Sequence, residues 1–151
     1  PPGYWYAEGR LALNSPSNNL SGSFNWLQED AHYKLEVSGP FGQGHTLITG
    51  QPFYIELTNS QYQLAAASPE LLFAELDWQL PLSNLVYWLQ GKPAPGPLEE
   101  LAENKFSQQG WLVEIRKFAQ VNDEQLPSLL LMTNKYYSLR VAIKKWQLSL
   151  E

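Results

Sequence analysis

The sequence predicts a mainly β domain with some helix: one antiparallel sheet that curls, with two short helices against or across its concave face. Three observations predict it. Apolar and polar residues alternate along both ends of the chain, the period of half-buried strands. The middle switches to helical spacing behind helix-start signals. The chain has 151 residues, the length of one domain, so residues 1–151 are expected to share a single core.

Each element follows in order. Leu11 and Leu13 share a face, ahead of a turn at Asn18-Asn19. Phe24 and Trp26 lie on one face of the next strand, and Tyr33, Leu35 and Val37 on one face of the strand after it. His45 to Thr49 and Phe53-Tyr54-Ile55-Glu56-Leu57 continue the alternation, with turns at Gly50-Gln51-Pro52 and Asn59-Ser60. This is an antiparallel meander with one apolar face. Ser68-Pro69-Glu70 then starts a helix, with Ser as N-cap, Pro at the first helical position and an acid in the first turn. Leu71, Leu72 and Leu76 follow at helical spacing. A second start lies at Pro81-Leu82-Ser83-Asn84, and Leu82, Leu85, Val86, Trp88 and Leu89 make its apolar stripe. Gly91 stands where that helix should stop, with Pro93 just beyond. Lys92 to Pro97 is a stiff loop, too short to link domains. Strands return with Trp111, Val113 and Ile115, the apolar run Leu129 to Met132, and Tyr137, Leu139, Val141 and Ile143. Trp146 and Leu148 fall in the opposite phase from Ile143, which predicts a bulge near Lys144-Lys145.

Composition excludes several classes. Apolar residues make up 44%, aromatics 13% and charged residues 17%, which is no disordered tail. With no cysteine, this chain has no disulfide framework, thiolate metal site or cysteine nucleophile. A net charge of −5 with only ten Lys and Arg argues against nucleic acid as a partner. No apolar run is long enough to span a bilayer. The first residues carry no charged region followed by an apolar run, so no signal peptide is read there and a mature or trimmed product is expected.

Catalytic chemistry is poorly supplied. His32 and His45 fall in or near polar turns, and with Asp30 they show no metal-ligand spacing. No Gly-x-Ser-x-Gly elbow occurs. Glu99, Glu100 and Glu103 suit a solvated face better than paired acid–base work. Pro40 and Phe41 interrupt the glycines at 39, 42 and 44, so no phosphate loop forms. No enzyme activity, catalytic residue, metal or cofactor is expected.

Two features remain. Gly39-Pro40-Phe41-Gly42 encloses one large aromatic among small neighbours. Either Phe41 tucks back into the core, or it projects as an apolar finger, worth about 1.5–3 kcal/mol on entering hydrocarbon. The second feature is a surplus of large apolar groups for one interior: Phe24, Trp26, Leu35, Val37, Ile55, Leu57, Trp111, Val113, Ile115, Leu139, Val141 and Trp146. The helical stripe of Leu82, Leu85, Val86, Trp88 and Leu89 adds to them. They can fill a solid core, or line a lipid cavity under a helical lid.

The residues resemble the LolB family of outer-membrane lipoprotein receptors. The likeness runs from about Gly9 to the end. It rests on Phe24-x-Trp26 with Gln28, Tyr33-x-Leu35, and Gly39-Pro40-Phe41-Gly42 where the family commonly has Pro-Leu-Gly. Leu80-Pro81-Leu82, Leu85, Trp88-Leu89, Gly91, Pro93, Gly110-Trp111, Leu126-Pro127, Leu139-x-Val141 and Trp146 continue it. The resemblance implies an open, incomplete antiparallel β-barrel with helices over its mouth. It implies a protein on the periplasmic face of the outer membrane, held by a lipid on an N-terminal Cys that these residues do not include. Its partners would be a LolA-like periplasmic carrier, lipoprotein acyl chains and outer-membrane lipid. The apolar side chain between Pro and Gly, here Phe41, would serve delivery to the membrane. The acyl chains are expected on the concave face and the Trp88 helix, and the protein as a monomer. If the carrier's mouth is basic, the acidic balance here would make their encounter salt-sensitive. Two other classes share the composition: a soluble lipid carrier of lipocalin-like build, which needs no exposed Phe41, and a carbohydrate-binding module, whose aromatics would lie on an exposed flat face.

Overall fold

The structure, a computed structural model, describes residues 3–17, 19–39, 44–61, 63–76 and 79–149. The chain lays down β1 (Tyr4–Asn14), β2 (Asn19–Glu29), β3 (His32–Gly39), β4 (Gly44–Gln51), β5 (Tyr54–Thr58) and β6 (Gln63–Ala66). It crosses through α1 (Pro69–Phe73) and α2 (Leu82–Trp88). It returns as β7 (Glu99–Ala102), β8 (Lys105–Gln108), β9 (Trp111–Val121), β10 (Glu124–Thr133) and β11 (Ser138–Gln147). The 11 strands form one antiparallel sheet in the order β6-β5-β4-β3-β2-β1-β11-β10-β9-β8-β7. Pairing of the first strand with the last joins the two halves. The outer strands β6 and β7 do not pair with each other, so the barrel stays open.

Side-chain alternation aims one face of every long strand inward. Trp5, Ala7, Leu11 and Leu13 of β1, Phe24 and Trp26 of β2, and Leu139, Val141 and Ile143 of β11 are all buried. The helices lie over this face and close it with Leu72, Phe73, Leu82, Leu85, Trp88 and Leu89.

The bulge falls where the change of phase places it. Glu8 pairs with Lys145 and Gly9 with Ile143, so Lys144 is the extra residue. The inserted residue turns Trp146 back toward the interior, where its ring lies 5.4 Å from that of Trp5. Pro127 lacks a ladder donor, and the β9–β10 register shifts beside it. Its carbonyl accepts from the Trp146 indole N–H at 2.8 Å.

The helix starts hold as well. The Ser68 hydroxyl accepts from the Leu71 N–H at 3.2 Å, and Pro69 opens α1. α1 nevertheless ends at Phe73, before Leu76 completes its stripe. α2 ends at Trp88 with Leu89 as its C-cap, and Gly91, with a φ of 82° that suits glycine, turns the chain away just beyond.

One expectation needs correction, and one element was not read from the sequence. β4 runs on through Gln51, and the turn is Pro52-Phe53, so Phe53 is not part of the following strand. The stretch after Pro97 is a β-hairpin, β7 with β8. Its acids do sit exposed, but Phe106 and Gln108 of β8 are buried.

Candidate functional site

The curled sheet brings together the side chains singled out above. Phe24, Trp26, Leu35, Val37, Ile55, Leu57, Leu82, Leu85, Trp88, Leu89, Trp111, Val113, Leu139 and Val141 are all buried in one cluster. Val86, Ile115 and Trp146 are half-buried against it. Sequence patterning missed Trp5 and Phe106, and did not single out Ile48, Leu130 and Met132 within the strands it read; all belong to the same interior. Trp5 carried a signal, because Trp5-Ala7-Gly9-Leu11-Leu13 is one period-two series. Phe106 had none, sitting among polar neighbours.

The aromatics stack inside. Trp26 lies between Trp5, at 5.6 Å, and Tyr33, at 5.2 Å. Trp88 meets Trp111 at 6.3 Å and Phe106 at 6.4 Å. Trp5, Trp26, Trp88 and Trp111 are buried, so among the described residues tryptophan builds no flat exposed face of the kind that binds glycans.

The helical segment seats tightly. Between Leu80, Leu85 and Leu89 and the sheet side chains Leu11, Phe24, Trp26, Leu35, Leu139 and Val141, a cavity of about 10 Å³ remains. That is about the room of one water molecule. In this conformation apolar side chains of α2 and its flanking residues fill the concave face.

Polar bonds define how α2 is held. The buried Gln108 Oε1 accepts from the Trp88 indole N–H and the Ala94 N–H, each at 2.9 Å. Its Nε2 donates to the carbonyls of Ala94 at 2.6 Å and Pro97 at 3.3 Å. One side chain thus ties the C-terminal end of α2 and the proline-rich loop to β8. At the other end the tie is an exposed hydrogen bond from the Ser83 hydroxyl to Glu70 of α1 at 2.9 Å, and no side chain caps the α2 N-terminus. The anchoring is unequal, because exposed bonds exchange with water and buried ones do not.

Beside the weakly held end lies an open hollow of about 360 Å³. Tyr33, Ile55, Leu82, Val86 and Tyr87 form its apolar walls, and Gln28, Asp30 and Glu70 its polar rim. Burial pushes the Tyr33 phenol well above the usual tyrosine range, and the Glu70 carboxylate adds to the shift. Gly50 makes room for Tyr33, since a Cβ there would lie 2.3 Å from the ring.

Phe53 stands at the lip of this hollow, 90% exposed. Its φ is 65°, a left-handed conformation that disfavours any side chain. Phe53→Gly is expected to leave stability unchanged or raise it by up to about 1 kcal/mol, as a urea midpoint would report. A clear loss of stability would show that the ring packs rather than projects.

Of the expected finger, Gly39 is the last residue of β3 and pairs with Gly44, which opens β4. Both have positive φ, 123° and 119°. Pro40, Phe41 and Gly42 lie outside the described residues. His45, next along β4, is exposed and 2.8 Å from the Glu36 carboxylate. Among the described residues no group of three or more His, Cys, Asp or Glu side chains can hold a metal. No helix among them is long and apolar enough to cross a membrane.

The open antiparallel half-barrel roofed by short helices is a fold class shared with a solved LolA-superfamily structure. The chain superposes on a LolA superfamily protein from Nitrosomonas europaea with a TM-score of 0.59, over 99% of this chain and 87% of that one, at 8% identity. By sequence the chain belongs to the LolB family. The family model for outer membrane lipoprotein LolB matches residues 4–146. The outer-membrane lipoprotein LolB of Chromohalobacter salexigens is 36% identical over 95% of this chain and 71% of its own length. That of Stutzerimonas stutzeri is 34% identical over 95% of this chain and 73% of its own length.

Proposed function

We propose that this protein is a lipoprotein receptor of the outer membrane. It accepts lipoproteins from a LolA-like periplasmic carrier, covers their acyl chains and releases them into the bilayer. The observation that carries this is a largely apolar concave face roofed by a helix that is tied firmly at one end only, with an open hollow at the loose end.

The physical demand is severe. Each buried methylene is worth about 0.8 kcal/mol, so acyl chains must stay covered throughout the transfer. Chains enter at the hollow, between Phe53 and Tyr87, and displace Leu82 and Leu85 as α2 swings about the Gln108 tie. They then lie against Phe24, Trp26, Leu35, Val37, Ile55, Leu57, Val113, Leu139 and Val141, with Trp88, Leu89, Trp111, Ile115 and Trp146 toward the anchored end. The lid's own side chains fill the space before and after, so the empty receptor exposes little apolar surface. Polar groups are few on this face, which favours release. Hand-off runs downhill in affinity from carrier to receptor to bilayer.

In this scheme Gly39, Pro40, Phe41 and Gly42 form the membrane-contact loop. Phe41→Glu is expected to leave acyl binding intact and to slow delivery into liposomes about ten- to a hundredfold, the equivalent of about 1.5–3 kcal/mol of lost insertion. Transfer of a labelled lipoprotein from carrier to liposome measures it. Delivery at the wild-type rate would remove the loop from the mechanism.

A further inference from the structure

We propose that the β10–β11 turn is a second membrane contact, one that recognises an anionic phospholipid surface; it rests on the receptor function proposed above. An antiparallel meander places alternate turns at opposite ends of the sheet. At one end lie the links β1–β2, β3–β4, β5–β6, β8–β9 and β10–β11. Those turns contain no carboxylate and one cation, Lys135. At the other end the turns hold Asp30, Glu103 and Asp123, flanked by Glu29 and Glu124. A chain of net charge −5 has therefore cleared acids from the turns of one end, the end at which Gly39 pairs with Gly44. Carboxylates on the strands near that end are Glu36, 2.8 Å from His45, and Glu114, 3.6 Å from Arg116, each three residues from the strand's end, with Glu99 and Glu100 on the outer strand β7.

The turn itself is built to project. The Asn134 side-chain carbonyl accepts from the N–H groups of Tyr136 at 2.8 Å and Tyr137 at 2.7 Å. The Asn134 N–H donates to the Tyr137 carbonyl at 2.9 Å. These bonds hold the backbone, so ordering it on contact costs little. Tyr136 is 62% exposed, and the Lys135 ammonium sits 5.8 Å from its ring centroid. Among the described residues no carboxylate pairs with Lys135. An exposed tyrosine beside an unpaired lysine suits the headgroup layer of a bilayer, where the ring is half in hydrocarbon and the cation meets phosphate. Strands β3 and β4, whose link holds Phe41 in the sequence, lie beyond β1 and β2 from β11 in the sheet, so a second contact point fixes tilt, which a single finger cannot.

Flotation with two sets of vesicles tests it: phosphatidylcholine alone, and phosphatidylcholine mixed with phosphatidylglycerol. The wild type is expected to partition more strongly onto the mixed vesicles. Lys135→Gln should weaken that about fivefold, and Lys135→Glu roughly thirtyfold, with little change on phosphatidylcholine. Tyr136→Ser should weaken partitioning onto both. Wild-type partitioning by Lys135→Glu on the mixed vesicles overturns the second contact. Loss with Phe41→Glu alongside no loss with Lys135→Glu or Tyr136→Ser also overturns it, and leaves the receptor function standing. A wild type that floats with neither vesicle overturns the second contact and the membrane-contact loop together.

Discussion

Replacing Gln108 by Leu is expected to destabilise the protein by about 3–6 kcal/mol. The side chain is 2% exposed and satisfies the Trp88 N–H, the Ala94 N–H and the Ala94 carbonyl. Leucine is close in volume, so packing changes little. What changes is that three buried polar groups lose their partner, at about 1–3 kcal/mol each. Relaxation of the proline-rich loop toward water keeps the total toward the lower end. For a chain of this size the melting temperature should fall on the order of 10 °C. The loss should also be local: α2 amides should exchange with deuterium well before those of β1 and β11, because the tie is cut and the sheet is not. A melting temperature within a degree or two of wild type would mean that α2 is held by apolar contact alone. The pivot assigned to Gln108 in acyl uptake would go with it.

Gly9→Ala is expected to cost about 3–5 kcal/mol, or to prevent folding. Two effects oppose each other here. Alanine is favoured over glycine in a strand interior by about 0.5–1 kcal/mol. Against this, a Cβ on Gly9 would lie 1.9 Å from the Ala142 carbonyl oxygen and 3.0 Å from the Ile143 Cα. Both are backbone atoms, which cannot rotate away. Relief requires β1 and β11 to separate at the bulge, and that pairing is the seam between the two halves of the sheet. Forced overpacking typically costs 1–3 kcal/mol and more where the backbone must move, so the steric effect wins. Chemical denaturation of the variant checks the sign directly. An unchanged or raised midpoint would show that the bulge opens without strain.

Much of the architecture was legible in the residues. Alternation identified the long strands because each has one face in a core and one in water. The phase change between Ile143 and Trp146 located the bulge. Ser68, Pro69 and Gly91 marked helix ends through local hydrogen bonding and φ preference, which act within a few residues. Signals failed where the cause lay elsewhere in the chain. The β7–β8 hairpin has little apolar alternation, since β7 is an exposed outer strand. Phe53 looks like a strand residue, yet pairing between Gln51 and Tyr54 forces it into the turn.

The side chains of the candidate site were legible in the same way, but the space among them was not. Composition and period specify that Phe24, Trp26, Leu35, Leu139 and Val141 face inward, because hydrophobic burial is non-directional and needs only a consistent face. Whether those groups line a hollow or fill it depends on how closely α2 approaches, a distance set by Gln108, Ser83 and the packing of Leu85 and Leu89. Those contacts join residues far apart in the chain, so only the tertiary structure could decide that the roof is seated, and that the open space lies to one side of it.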